Sequence, residues 1–185
     1  MRKLILLTVL VILSSSLASA KVGLAFGLNN SNLAGNNVTA PSIGIPIEIN
    51  NLIIEPNITF YSMRVEAEEP LIEQATIFGI GGNLLYRMSK KKTRPMIGGG
   101  FKYFSQTSDI ESIGSFNDAE LSQSRYLLMG IAGIEHNIDE NFSIAIQASL
   151  EYSYFGDIEY GETRVIAEHS NYGLGIAAVL RMYID

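Results

Sequence analysis

The sequence predicts an all-β fold, an eight-stranded antiparallel up-and-down transmembrane β-barrel. Three observations point there. Hydrophobic residues make up 47% of the 185 residues and charged residues only 17%, below the ~25% charged share of soluble domains. Past the first 20 residues no apolar run reaches the roughly 18 residues that a membrane-spanning helix needs. Apolar side chains instead recur at every second position, the period of a strand with one apolar face.

The first twenty residues read as a secretory signal. Arg2 and Lys3 form a positive start, Leu4 to Leu13 an apolar stretch, and Ala18-Ser19-Ala20 a small-residue cleavage site. This divides the chain into a signal peptide, 1–20, and a barrel domain, 21–185. Without Arg2 and Lys3 the remaining chain has a net charge of −8. Nucleic acid is therefore not expected as a partner, since it needs a basic footprint. The chain has no cysteine, which excludes disulfides, thiolate metal sites and a cysteine nucleophile. No cofactor and no metal site is expected.

Each strand follows from its alternation. Val22, Leu24, Phe26 and Leu28 open the series. Ile43, Ile45, Ile47 and Ile49 make the second strand, and Leu52, Ile54, Ile58 and Phe60 the third. Phe78, Ile80, Leu84 and Tyr86 make the fourth. Pro95 to Phe104 is the glycine-rich fifth. Tyr126 to His136 is the least regular, because Leu127, Met129 and Ile131 make both faces apolar. Phe142 to Tyr154 and Tyr172 to Ile184 close the series.

Connections alternate in length. Asn50-Asn51, Ser89 to Thr93 and Asn137 to Asn141 are short. Asn29 to Thr39, Ser62 to Glu73, Ser105 to Ser124 and Phe155 to Glu168 are long. Short periplasmic turns and long outer loops are the habit of membrane barrels. An even strand number puts both termini on the short-turn side.

The second face decides between a soluble and a membrane barrel. It is rich in Gly, Ala, Ser and Asn, with ten glycines: Gly23, Gly27, Gly44, Gly79, Gly81, Gly98, Gly100, Gly133, Gly173 and Gly175. Such residues suit the narrow interior of eight strands, so the apolar face points outward. Strands of about 10 residues, tilted near 45°, cover roughly 23 Å, close to the ~25 Å apolar band of such barrels. Tyr86 and Phe142 fall at the lower edge of that band. Tyr103, Tyr126, Tyr152, Tyr154 and Tyr172 fall at its upper edge, as two aromatic girdles would.

Two short segments carry a family resemblance. Arg94-Pro95-Met96-Ile97-Gly98-Gly99-Gly100-Phe101-Lys102-Tyr103 resembles the R/K-P-Y-V/I-G-x-G strand opening of small outer-membrane barrels. Gly133-Ile134-Glu135-His136, with Asn141-Phe142-Ser143-Ile144, resembles their G-V-E-Y…N-L/F-S-L hairpin. The relatives are the barrel domain of outer membrane protein A, outer membrane protein X and opacity-like surface antigens. Met96 and His136 stand where these usually have tyrosine. The chain ends Met182-Tyr183-Ile184-Asp185, where they usually end in an aromatic residue. The resemblance implies the outer membrane of a Gram-negative-type bacterium, with outer-membrane lipids, lipopolysaccharide and the barrel assembly machinery as partners. A monomer is expected.

The register puts Glu48, Glu55, Arg87, Arg94, Lys102, Glu135, Glu151 and Arg181 inside the tube, with Lys21 at its foot. Buried charges are costly unless paired, so an internal ion-pair network is expected. Glu48, Glu55, Arg87, Arg94, Glu135 and Arg181 fall nearest the short turns and are expected to form one plug. The favoured reading is a structural or surface-interaction protein, without enzymatic activity, whose lumen that network closes. The alternative is a narrow porin-like ion path. Outside segments 62–73, 105–124 and 155–168 are acidic and offer a site for an extracellular ligand.

A lipid A-modifying hydrolase is the remaining alternative. Glu168-His169-Ser170-Asn171 is superficially similar to the H-x-S-N segment of lipid A deacylases. Adjacent strand residues point to opposite faces, which argues against His169 and Ser170 acting together. His136 is expected to face outward beside a short turn.

Overall fold

In the computed structural model of the protein, the structure describes residues 20–33, 36–66, 71–112, 119–160, 163–165 and 169–184. The signal segment expected over 1–20 lies almost wholly outside them. The elements are β1 (Lys21–Leu33), β2 (Asn36–Gly44), β3 (Ile47–Ile49), β4 (Leu52–Glu66) and β5 (Leu71–Arg87). They continue as β6 (Thr93–Ser112), β7 (Ala119–Asn137), β8 (Phe142–Tyr160), β9 (Thr163–Val165) and β10 (His169–Ile184). All pairings are antiparallel. β10 pairs with both β1 and β8, which closes the sheet on itself. β2 and β3 both lie between β1 and β4 and make one stave. β9 only extends the upper part of β8. The barrel thus has eight staves, as the alternation predicts.

Pro46 explains why one stave is split. The hydrophobic alternation runs this strand unbroken from Ser42 to Ile49, but proline has no N–H to give the ladder. The stave parts at Ile45-Pro46 and stays in place through neighbouring bonds. Gly23 N donates to Pro46 O at 3.0 Å, and Ile45 N donates to Pro56 O at 2.9 Å. The next turn is two residues long, and Asn50 there has a φ of 57°. Asparagine visits this left-handed region more readily than other side chains that carry a Cβ. This turn and the bends near residues 88–92 and 138–141 lie at the same end as Lys21 and Ile184.

The four long connections are largely strand, which corrects the loops expected at 29–39, 62–73, 105–124 and 155–168. The β4–β5 ladder continues to Glu66 and Ile72, and the β6–β7 ladder to Ile110 and Ala119. Most acidic side chains expected there lie outside the described residues, although Glu159 is exposed. The physical reason is that alternation marks a strand only where one face meets an apolar phase. Ladder hydrogen bonds continue past that point, with water on both faces.

The outward face is an apolar belt: Ile146, Leu150, Leu174 and Ile176 are each more than 60% exposed. The inward face is less small and polar than its sequence suggests. Ile53, Leu85, Met96 and Ile131 form a buried layer with Ala25, Ala145 and Val179. Ile77, Phe104 and Leu127 form a second layer. Leu127 and Ile131 make β7 look irregular in sequence because they fill the lumen.

One inner glycine is fixed by its neighbour. Gly79 faces Phe104 across the β5–β6 ladder, and a Cβ added there would sit 2.5 Å from the Phe104 ring. Gly79→Val should therefore destabilise the folded barrel by about 1–3 kcal/mol through overpacking. Gly130→Ala, where an added Cβ meets nothing within 4 Å, should stay within about 0.5 kcal/mol of the parent. Urea unfolding in micelles checks both.

Candidate functional site: the charges inside the barrel

Strand parity carries six charged residues to one level of the lumen, near the short-turn end. Glu48 comes from β3, Glu55 from β4, Arg87 from β5, Arg94 from β6, Glu135 from β7 and Arg181 from β10. The centre is Glu135, which is fully buried. Its Oε2 accepts from Arg87 Nε at 2.5 Å and from Arg94 Nε at 3.0 Å. Its Oε1 accepts from Arg87 Nη2 at 3.0 Å, Ser143 Oγ at 2.9 Å and Arg181 Nη1 at 3.2 Å. One carboxylate thus holds three guanidiniums.

Two further carboxylates complete the charge balance. Arg87 also pairs with Glu48 and donates from Nη2 to the Tyr183 hydroxyl at 2.9 Å. Arg181 donates from Nε to Glu55 Oε2 at 2.5 Å, tying β10 to β4 across the tube. Asn83 Nδ2 donates to Glu55 Oε1 at 3.3 Å, and Arg94 Nη2 donates to Asn137 Oδ1 at 2.7 Å. Three arginines face three glutamates. These are charge-assisted, multiply bonded contacts of the strong kind, and the satisfied lone pairs offset desolvation.

The structure therefore brings together Glu48, Glu55, Arg87, Arg94, Glu135 and Arg181. Of the eight residues expected in the lumen network, these six are the ones expected to form the plug; Lys102 and Glu151 lie outside their direct contacts. Lys102 lies eight residues above Arg94 on β6, roughly 26 Å along the strand. The Lys102 and Glu151 side chains are both buried at this higher level, where the lumen widens into a cavity of about 40 Å³. Lys21 stays at the foot of the barrel, its Nζ 3.5 Å from Glu140 O and Asn141 Oδ1.

Two participants are missing from the sequence reading. Tyr183 shares the parity of Arg181 and belongs to the network. Arg125 shares the parity of Leu127 and is buried inside the upper lumen. Its guanidinium lies 4.9 Å from the Phe155 ring centre and 6.0 Å from that of Phe104, and Nη2 donates to Ser153 Oγ at 2.5 Å. Parity was the available signal for both.

The girdle residues lie on the outer face. Tyr86, Tyr126 and Tyr172 are exposed; Phe142, Tyr103, Tyr152 and Tyr154 are partly covered. Tyr103, Tyr126 and Tyr154 form a cross-strand row with centroids 5.2 and 6.4 Å apart. Tyr152 and Tyr172 form a second contact at 5.1 Å. His136 is exposed, with Nδ1 2.7 Å from Thr93 Oγ1. His169 stacks on Phe155 at 4.3 Å. Ser170, one position along β10, pairs with Tyr154 and so falls on the opposite face. Among the described residues there is no group of three or more His, Asp or Glu that could hold a metal ion.

With this geometry established, the fold is that of small outer-membrane barrels. The chain is similar to Neisserial surface protein A, with 16% identity and a TM-score of 0.53, over 89% of this chain and 97% of that one. It is similar to a major outer membrane protein from Thermus thermophilus, with 10% identity and a TM-score of 0.56, over 90% and 100%. It is also similar to Ail, the attachment invasion locus protein of Yersinia pestis, solved with the heparin analogue sucrose octasulfate. There the identity is 14% and the TM-score 0.50, over 89% and 96%. No protein-family model matches the chain, and no curated protein sequence matches it.

Removing the central carboxylate strands three guanidiniums. Glu135→Gln should cost about 3–5 kcal/mol, the range for breaking a buried pair. Glu48→Gln should cost less, because the Glu48 side chain keeps 18% exposure and water takes up part of the loss. Urea unfolding of the two variants side by side checks the order.

Proposed function

We propose that the protein is an integral outer-membrane β-barrel with a structural or surface-interaction role, its lumen closed by the Glu135-centred ion-pair network. The observation that carries this is the opposition of faces. Large apolar side chains stand exposed around the outside, and three arginines and three glutamates are paired inside. Only a hydrocarbon phase stabilises the first arrangement, and only a closed barrel leaves no unpaired strand edge in that phase. The fold likeness to outer-membrane barrels supports the same placement.

Side chains fill the lumen at two levels. Below, Arg181 and Arg87 bridge opposite staves through Glu55, Glu48 and Glu135. Above, Ile77, Phe104 and Leu127 meet in an apolar layer. Ion passage would need both levels to open, so the surface role is preferred to conduction. The outer strands are acidic in sequence, and a partner recognised there would be cationic. That differs from Ail, which was solved with a polyanion.

Two measurements test this reading. In planar bilayers the protein should give no reproducible conductance. Steady channels whose conductance changes in Arg87→Ala or Glu135→Ala would overturn the closed lumen. Ile146→Arg places a charge near the middle of the belt. It should cost about 2–4 kcal/mol in lipid vesicles, whereas an effect within about 0.5 kcal/mol would defeat the membrane assignment.

A further inference from the structure

Between the lower charge cluster and the upper apolar layer lies the cavity of about 40 Å³. Its wall is polar in an unusual way. Thr59 Oγ1, Asn83 Oδ1, Gln147 Nε2 and Glu151 Oε2 are all buried there with no hydrogen-bond partner among the described residues. Thr59, Gln147 and Glu151 are each at least nine-tenths buried. The Lys102 ammonium lines the same space and makes no direct hydrogen bond or ion pair with a described residue. The other Glu151 oxygen, Oε1, accepts from Ser149 Oγ at 2.9 Å.

Each of these groups is costly to bury unsatisfied, by about 1–3 kcal/mol for a neutral one and more for a charge. Four such groups and an ammonium around one space point to a common ligand. Its size is limited: one water needs roughly 10–15 Å³ of such volume, so the space is of a size for a few waters. Its chemistry is also fixed. It must donate to Asn83 Oδ1 and Glu151 Oε2 and accept from Gln147 Nε2 and Lys102, while the Thr59 hydroxyl takes either role. A metal cation or a simple anion does one of these and not the other. Water does both.

We infer that the mid-lumen cavity binds a cluster of ordered water molecules that bridges the Lys102 ammonium to the Glu151 carboxylate. Lys102 and Glu151 are then a water-mediated ion pair, joined to the direct network below through Asn83, which donates to Glu55. The inference deepens the closed-lumen reading and rests on it in one respect: the waters are long-lived because neither end of the tube lets them exchange freely.

Nuclear Overhauser transfer from water to the Gln147 side-chain amide, recorded on the folded protein in micelles, tests the site. Cross-peaks with the sign of slowly exchanging water are expected. Their absence would overturn the inference. A cross-peak with the sign of fast-exchanging water, together with bilayer conductance, would overturn the closed lumen and the long residence, and would leave the hydrated site standing. A double-mutant cycle tests the bridge. Lys102→Met and Glu151→Gln should each lower the folding equilibrium constant. The double variant should retain about tenfold more than the product of the two single effects allows. Strictly multiplicative effects would overturn the bridge. Should a single variant fail to fold, the cross-peak on the unaltered protein still decides the site.

Discussion

Everything inside the tube depends on one carboxylate shared by three guanidiniums. Glu135 sits at the meeting point of Arg87, Arg94 and Arg181, which come from β5, β6 and β10. A barrel of eight staves has too little interior for a conventional apolar core, so opposite walls must be joined by long side chains. Arginine suits this because its planar fork meets two acceptors at once. Charge balance at this level is complete: Glu48 pairs with Arg87 and Glu55 with Arg181, beside their shared partner Glu135. The network works as a cross-brace between walls that also meet in the apolar layer of Ile53, Leu85, Met96 and Ile131.

The brace works because the wall around it is thin. Glycine on the inner face lets an edge of the Phe104 ring come close to Gly79, and elsewhere lets long side chains cross the lumen. Above the brace, Ile77, Phe104 and Leu127 gather by packing instead of charge. The two clusters differ in physical kind, and ionic conditions that weaken one leave the other untouched.

Much of this architecture was legible in the sequence, for a reason that also sets its limits. Period two is strong wherever lipid lies on one side, so β8 and β10 could be read residue by residue, and parity alone placed Arg87, Glu135 and Arg181 inside. Distance from the short turns then picks out the six that form the plug, but neither says which side chains reach one another, so Lys102 and Glu151 could only be placed inside. Arg125 shares the inner parity of Leu127, yet its strand lacks the usual contrast because Leu127 and Ile131 fill the lumen. The Pro46 break is a matter of one missing donor, invisible to hydrophobic period. The outer ladders look like loops in sequence because they carry no apolar contrast at all.

Those outer ladders change how the outward-facing end should be pictured. From Tyr103 in the upper girdle, β6 continues nine residues to Ser112, paired with β5 throughout and with β7 as far as Ile110. At ~3.3 Å per residue this is roughly 30 Å of strand. Paired backbone of that length is stiff, so the arms hold their shape before anything arrives. Were any molecule to bind such arms, little free energy would go into ordering the chain, and only a shape that already fits would be accepted.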